Sequence, residues 1–193
     1  MDTPQKPPAP TQEPAAGQAI LPDAALLAAA LRLNNAHAVE TGPLDGPALA
    51  DMLAMAFYRA IPVAGNAGDD AGTAAGEPGE PCADGLLIAF DERADYDSAN
   101  FQWFRARYPR FIYVDRVIVA GHARGRGLAR TLYDGLFAAA RAAGHDVITC
   151  EINLDPPNPG SIAFHDAMGF TAVGQAILPN GKTVSYRQRS LMG

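Results

Sequence analysis

Apolar residues recur at helical spacing in two early stretches of the chain. In "DAALLAAALRLNNAHA", residues 23–38, Asp23 stands where an N-cap belongs. "DGPALADMLAMAF", residues 45–57, repeats the arrangement with Pro47 in the first turn. The pattern then shifts to short apolar or alternating runs. "YRAIPV" (58–63) and "GLLIAFDE" (85–92) predict strands, "SANFQWFRARY" (98–108) a short helix, and "RFIYVDRVIVAG" (110–121) a strand of β-branched and aromatic residues. In "LARTLYDGLFAAARAAG" (128–144) the apolar positions Leu128, Leu132, Leu136 and Ala140 recur every fourth residue, and Gly144 is placed to end the helix. "DVITCEI" (146–152) reads as a buried strand and "PGSIAFHDAMGF" (159–170) as a helix stopped by Gly169. "TAVGQAIL" and "KTVSYRQRSL" around "PNGK" read as a closing hairpin.

Strands alternating with helices in the middle, and hairpin-like strands at both ends, predict an α/β domain with a mixed sheet. A length of 193 residues with 48% hydrophobic content suits one domain, expected over residues 20–193. The Pro/Ala-rich residues 1–19 predict a disordered tail, and the Gly-rich residues 65–84 a flexible internal connection.

Charge narrows the choice of partner. The formal net charge is −6 at pH 7, which argues against nucleic acid as a partner. Residues 105–130, however, hold seven arginines against the single carboxylate of Asp115. Two readings stand: a local basic field for a compact anion, or arginines scattered over different faces. Cys82 and Cys150 belong to no metal-ligand spacing, so free thiols and no metal are expected. With no signal-like or membrane-length segment, the expectation is a cytoplasmic protein that does not enter a membrane.

The arginines concentrate in "VIVAGHARGRGLARTLY", residues 117–133, where a strand turns into a helix. Amides at a helix start lack intrahelical partners and face the positive end of the macrodipole, and Gly125 and Gly127 let a phosphate approach the backbone closely. A Walker-type loop would need Gly-Lys followed by Ser or Thr, yet the only lysines are Lys6 and Lys182. A dinucleotide site would use Glu151 as its ribose acid, but the third glycine is missing and only 42 residues follow Glu151.

The third class is acyl-coenzyme A. "HARGRGLA" after "VIV" resembles the pyrophosphate motif of the GCN5-related N-acetyltransferase (GNAT) superfamily, Arg/Gln-x-x-Gly-x-Gly/Ala, with His122 in the Arg/Gln slot. "INLDPPNPGSIAFHDAMGF" resembles the family's later segment, matching at Asn158, Ala163, Gly169 and Phe170. The resemblance implies a mixed, mostly antiparallel sheet with a central splayed parallel strand pair, flanked by helices. It also implies acetyl-CoA as co-substrate. The backbone of Val117, Ile118 and Val119 would pair with the pantetheine arm. The turn residues Arg124, Gly125, Arg126, Gly127, Leu128 and Ala129, with Asn158, would complete the cofactor site.

The reaction implied is acetyl transfer to a primary amine of a small molecule, or of a protein, by direct attack in a ternary complex. His165 occupies the place of the family's usual Tyr acid, and an imidazole can protonate a thiolate. Asp115 is the first candidate for the base, placed by strand alternation on one face with Tyr113, Val117 and Val119; Glu151 is the second. Asn34, Asn35 and Glu40 are candidates for the acceptor site, while "NFQWFRARY" reads as core more than as an aromatic cap. A homodimer is compatible with these features. The competing functions are a non-catalytic acyl-CoA-binding regulatory module and a dinucleotide-binding protein.

Overall fold

The computed structural model describes residues 22–63 and 80–192. The expected tail over 1–19 lies outside the described residues, as does most of the connection over 65–84. Of that connection residues 80–84 are described, and there Ala83 bridges to Val63. In chain order the elements are α1 (Ala24–Ala36), α2 (Ala38–Thr41), α3 (Gly46–Met55), β1 (Tyr58–Ala60), β2 (Gly85–Asp91) and α4 (Ala99–Arg105). They continue with β3 (Ile112–Val119), a 3₁₀ turn (Gly121–Ala123), α5 (Leu128–Ala142), β4 (Val147–Asp155), α6 (Pro159–Ala167), β5 (Thr171–Ile177) and β6 (Thr183–Ser190).

Local chemistry sets the helix starts. Asp23 accepts from the Leu26 amide at 2.8 Å and Asp45 from the Ala48 amide at 2.8 Å, each satisfying a donor left open in the first turn. Asn158 does the same for Ser161 at 3.1 Å. Gly144, at φ +75°, follows α5 in the left-handed conformation expected of it.

The six strands form one sheet in the order β1-β2-β3-β4-β6-β5. Every neighbouring pair is antiparallel except β3 and β4. Alternation along β2 sends Leu86, Ile88 and Phe90 into a core with α1, α3 and α4, and Leu87 and Ala89 into a second core under α5 and α6. Trp103 belongs to the first core: it stacks on Tyr186 with ring centroids 4.1 Å apart, and the Arg107 guanidinium covers it at 3.8 Å.

Two irregularities open the middle of the sheet. On β3, Ile88 of β2 pairs with Arg116 and Ala89 with Val114, so Asp115 is the extra residue of a β-bulge. The parallel ladder between β3 and β4 runs only from Ile112↔Ile148 to Val114↔Cys150 and stops there. Past that point the β4-facing edge of β3, including Val117–Val119, has no strand partner among the described residues. The bulge also breaks the expected alternation: Tyr113 packs on the α4 side, whereas Val117 packs with the α5-side core. The inserted residue inverts the faces of Val117 and Ile118, while Val119 packs against the α4-side core as Tyr113 does.

The stacked Trp103 leaves no room at Gly174, where a Cβ would sit 2.7 Å from Trp103 Cζ2. Held between Tyr186 and Arg107, the indole has nowhere to go. Gly174→Ala is expected to destabilise the protein by about 1–3 kcal/mol through overpacking, read as a lower Tm, with no change if the ring can shift freely.

Candidate active site

The turn after β3 presents a row of open amides. Among the described residues the N–H groups of Gly125 through Arg130 have no acceptor, and the first helical bond of α5 runs from Thr131 to the Gly127 carbonyl at 3.1 Å. The Arg124 amide instead donates to Gly121 at 3.3 Å, so the open row begins one residue later than the sequence reading placed it. Gly125 and Gly127 adopt φ of +74° and +79°, and a Cβ at either would meet nothing within 4 Å. Their role is therefore conformational: the left-handed backbone turns successive amides outward.

His122 does not face this turn. Its Nε2 lies 2.6 Å from Asp84 Oδ1, tying the 3₁₀ turn to the segment leading into β2. The seven arginines of 105–130 are scattered. Arg107 covers Trp103, Arg110 bonds the Ala143 carbonyl at the far end of α5, and Arg116 is buried. Since α5 has 15 residues, its two ends lie about 22 Å apart. The exposed cations left at the turn are Arg124, Arg126 and Arg130.

From the turn a cleft of about 460 Å³ runs along β3, lined by Val117, Ile118, Val119, Arg124 and Ala129 on one side and Asn158, Ser161, Phe164 and His165 on the other. It meets a second space of about 90 Å³ between the splayed strands, where Asp115, Glu151 and Tyr133 join the lining. Val117, Asn158, Ser161, His165, Glu40 and Thr41 border both spaces. Asn158 is held there by its capping bond to α6.

The two carboxylates differ sharply in their surroundings. Asp115 is tied down: Tyr96 donates to its Oδ1 at 2.7 Å, and Arg116 Nε approaches Oδ2 at 3.0 Å as a close ion contact without hydrogen-bond alignment. Arg116 in turn donates to Asn34 Oδ1 at 2.5 Å and to the Gly42 carbonyl at 3.2 Å. Glu151 sits within β4 rather than at its end, and its Oε2 is shut off from solvent with no hydrogen-bond partner among the described residues. Among the described residues no cation pairs with it. Burial, and then the neighbouring Asp115 charge, push the Glu151 carboxyl up to about 8. The Asp115 carboxyl is also raised by burial, against the lowering effect of Arg116.

His165 is 3% exposed and bonded at both ring nitrogens. Its Nδ1 donates to the Ser161 carbonyl at 2.7 Å, and its Nε2 meets the Tyr133 hydroxyl at 2.7 Å. Burial lowers its pKa, keeping the ring neutral. A neutral ring bonded in this way has no proton free for the cleft, which departs from the general-acid role drawn from its sequence position.

On the acceptor side Asn34 and Asn35 are consumed by structure. Asn34 donates to the Gly42 carbonyl at 3.1 Å, and Asn35 exchanges two 2.9 Å bonds with the Leu44 backbone. Glu40, by contrast, is exposed and borders the cleft. The sequence reading did not single out Tyr133, Tyr96, Arg116 or Ser161. Helical spacing would have found Ser161, one turn before His165 on α6; the others reach the site from remote elements. Cys82 and Cys150 are free thiols. Among the described residues no cluster of His, Cys, Asp and Glu is arranged to hold a metal, and no helix is long and apolar enough to cross a membrane.

A raised carboxyl pKa has a defined stability signature. Between the ordinary carboxylate range and about 8 the folded state keeps a Glu151 proton that the unfolded chain has lost, so this contribution fades as pH rises through about 8. Glu151→Gln is expected to melt with wild type at pH ~5 and above it at pH ~9. Equal Tm values at both pH values would contradict a buried, proton-bearing Glu151.

A family model described as "Acetyltransferase (GNAT) family" matches residues 85–170. No curated protein matches the chain's sequence. Among solved structures, a NatC complex bound to Gag peptide and CoA is similar at 16% identity and TM-score 0.61, covering 87% of this chain and 92% of that one. The acetyltransferase yncA from Salmonella typhimurium with acetyl-CoA is similar at 22% identity and TM-score 0.41, covering 57% and 60%. Ard1 from Thermoplasma volcanium is similar at 13% identity and TM-score 0.46, covering 58% and 66%. The matched segment runs from β2 through the glycine turn to the end of α6, and over it the chain is similar to the GNAT acetyltransferase family.

Proposed function

We propose that the protein transfers acetyl from acetyl-CoA to the primary amine of a small molecule, both substrates being bound together, with residues 20–193 acting as one catalytic domain. The observation that carries this reading is the continuity of the cleft, which joins the unpartnered backbone of β3 to buried Glu151. The residues present fit the co-substrate. The open amides of Gly125–Arg130 suit a pyrophosphate, Arg124 and Arg126 suit further phosphate charge, and the edge over Val117–Val119 beyond the β4 ladder suits the amide-bearing arm once Arg124 turns from the Val119 carbonyl to a phosphate. When bound, acetyl-CoA supplies an activated acyl group and a thiol leaving group.

This chain's own residues supply the proton handling. An amine arrives as an ammonium and must lose a proton before it can attack; Glu151, raised to about 8 and unpartnered at Oε2, is matched to that task. Asp115 is held at Oδ1 by Tyr96 and lies against the Arg116 guanidinium, and its part here is to act on Glu151 through its charge. The space of about 90 Å³ beside them supports a slender acceptor, such as an ammonium on a short chain. Because the similar NatC complex is one bound to a peptide, peptide amino termini belong in the acceptor panel.

Two measurements test the reading. Acetyl-CoA and CoA should raise the Tm while NAD does not, and some amine in the panel should drive thiol release. Stabilisation without turnover across the whole panel would favour a non-catalytic module. With a working acceptor, kcat/KM should rise about tenfold per pH unit towards a plateau with an apparent pKa near 8, because Glu151 is protonated below that value. Asp115→Asn removes one cause of the elevation and should move the profile to lower pH. An unshifted profile would remove Glu151 from the role.

A further inference from the structure

The hydrogen bonds around His165 leave one proton uncommitted in the cleft. A main-chain carbonyl cannot donate, so the 2.7 Å contact of His165 Nδ1 with the Ser161 carbonyl places a proton on Nδ1. The ring being neutral, Nε2 is bare and accepts from the Tyr133 hydroxyl. Ser161 Oγ lies 3.3 Å from that same protonated Nδ1, so towards His165 it can only accept. The Ser161 hydroxyl proton then has no acceptor among the described residues. Ser161 borders both the 460 Å³ cleft and the 90 Å³ space, and it lies in the first turn of α6, the positive end of that helix.

We propose that Ser161 is the hydrogen-bond donor to the leaving sulfur, with His165 and Tyr133 as positioning residues that hold its hydroxyl towards the cleft. This rests on the acetyltransferase reading above. Ser161 keeps its proton throughout. As the carbon–sulfur bond breaks and its electron pair goes to sulfur, Oγ–H donates a hydrogen bond to that sulfur while the new carbon–nitrogen bond is retained. Of the two protons the ammonium nitrogen gives up in becoming an amide, one passes to Glu151 and one ends on the thiol. The donor expected at position 165 is thereby displaced by one helical turn to position 161, on the same face of α6.

The test needs no turnover for its first readout. CoA bound to the wild-type protein is titrated by the ultraviolet absorbance of its thiolate; the bound thiol should ionise below free CoA, whose thiol resembles cysteine at about 8.5. Ser161→Ala should raise the bound thiol pKa by about one unit, and Ser161→Thr, which retains a hydroxyl, should restore it. In turnover Ser161→Ala should lower kcat by about 10²-fold with KM for acetyl-CoA changed by less than about threefold. His165→Ala should cost less in kcat and leave most of the thiol pKa shift in place. The inference is overturned if Ser161→Ala binds CoA with the wild-type thiol pKa and turns over normally, or if His165→Ala alone abolishes the shift. Failure of CoA to bind the wild-type protein at all would instead remove the acetyltransferase reading, and this inference with it.

Discussion

The site depends on where the parallel pairing of β3 and β4 ends. Two hydrogen-bonded strands leave no room between them for a ligand, and here the ladder stops after Val114 and Cys150. The bulge at Asp115 is the local cause: an inserted residue bends and twists the strand that carries it, directing the rest of β3 away from β4. That divergence frees the edge of Val117–Val119, opens the space beside Glu151, and leads the chain into the glycine turn at the head of α5.

Holding such an opening requires compensation nearby. Asp115 and Arg116 are largely removed from water, and a buried ion pair stabilises little unless its remaining bonding capacity is met. Tyr96 meets part of it on the Asp115 side, and Asn34 with the Gly42 carbonyl part of it on the Arg116 side. The same bonds anchor α1 and the residue after α2, the helix whose Glu40 and Thr41 border the cleft. Among the described residues Glu151 has no cation beside it, and the lowering effect of Tyr113 and Asn100 does not offset its burial. Its raised pKa is the thermodynamic record of that burial, and once ionised such a carboxylate has the proton affinity suited to taking a proton from an arriving ammonium.

Much of the architecture was legible because period and punctuation coincide. The caps Asp23 and Asp45, the positive-φ Gly127 and Gly144, and the apolar repeat of α5 each mark an element by local physics alone. The strand containing Asp115 was legible as a strand, but its bulge was not. Nothing in "IYVDRVIV" distinguishes seven paired residues from eight, because a bulge is a property of two strands in register. Likewise the seven arginines were a single feature in sequence, yet the fold sends Arg110 to one end of α5 and Arg124 to the other.

By itself the sequence determined the order of the main helices and strands, the glycine turn at the head of α5 and the residue types gathered around the cleft, since these follow from backbone preference and local spacing. Only the tertiary structure decided which groups are free to react. His122 is spent on Asp84, Asn34 and Asn35 on the segment between α2 and α3, the His165 ring proton on the Ser161 carbonyl and the Tyr133 hydroxyl proton on His165. Glu151 and the Ser161 hydroxyl are left with unmet bonding capacity. A side chain's chemistry is written in its residue type, but its availability depends on partners that arrive from distant elements, and those are fixed only when the sheet and its helices pack.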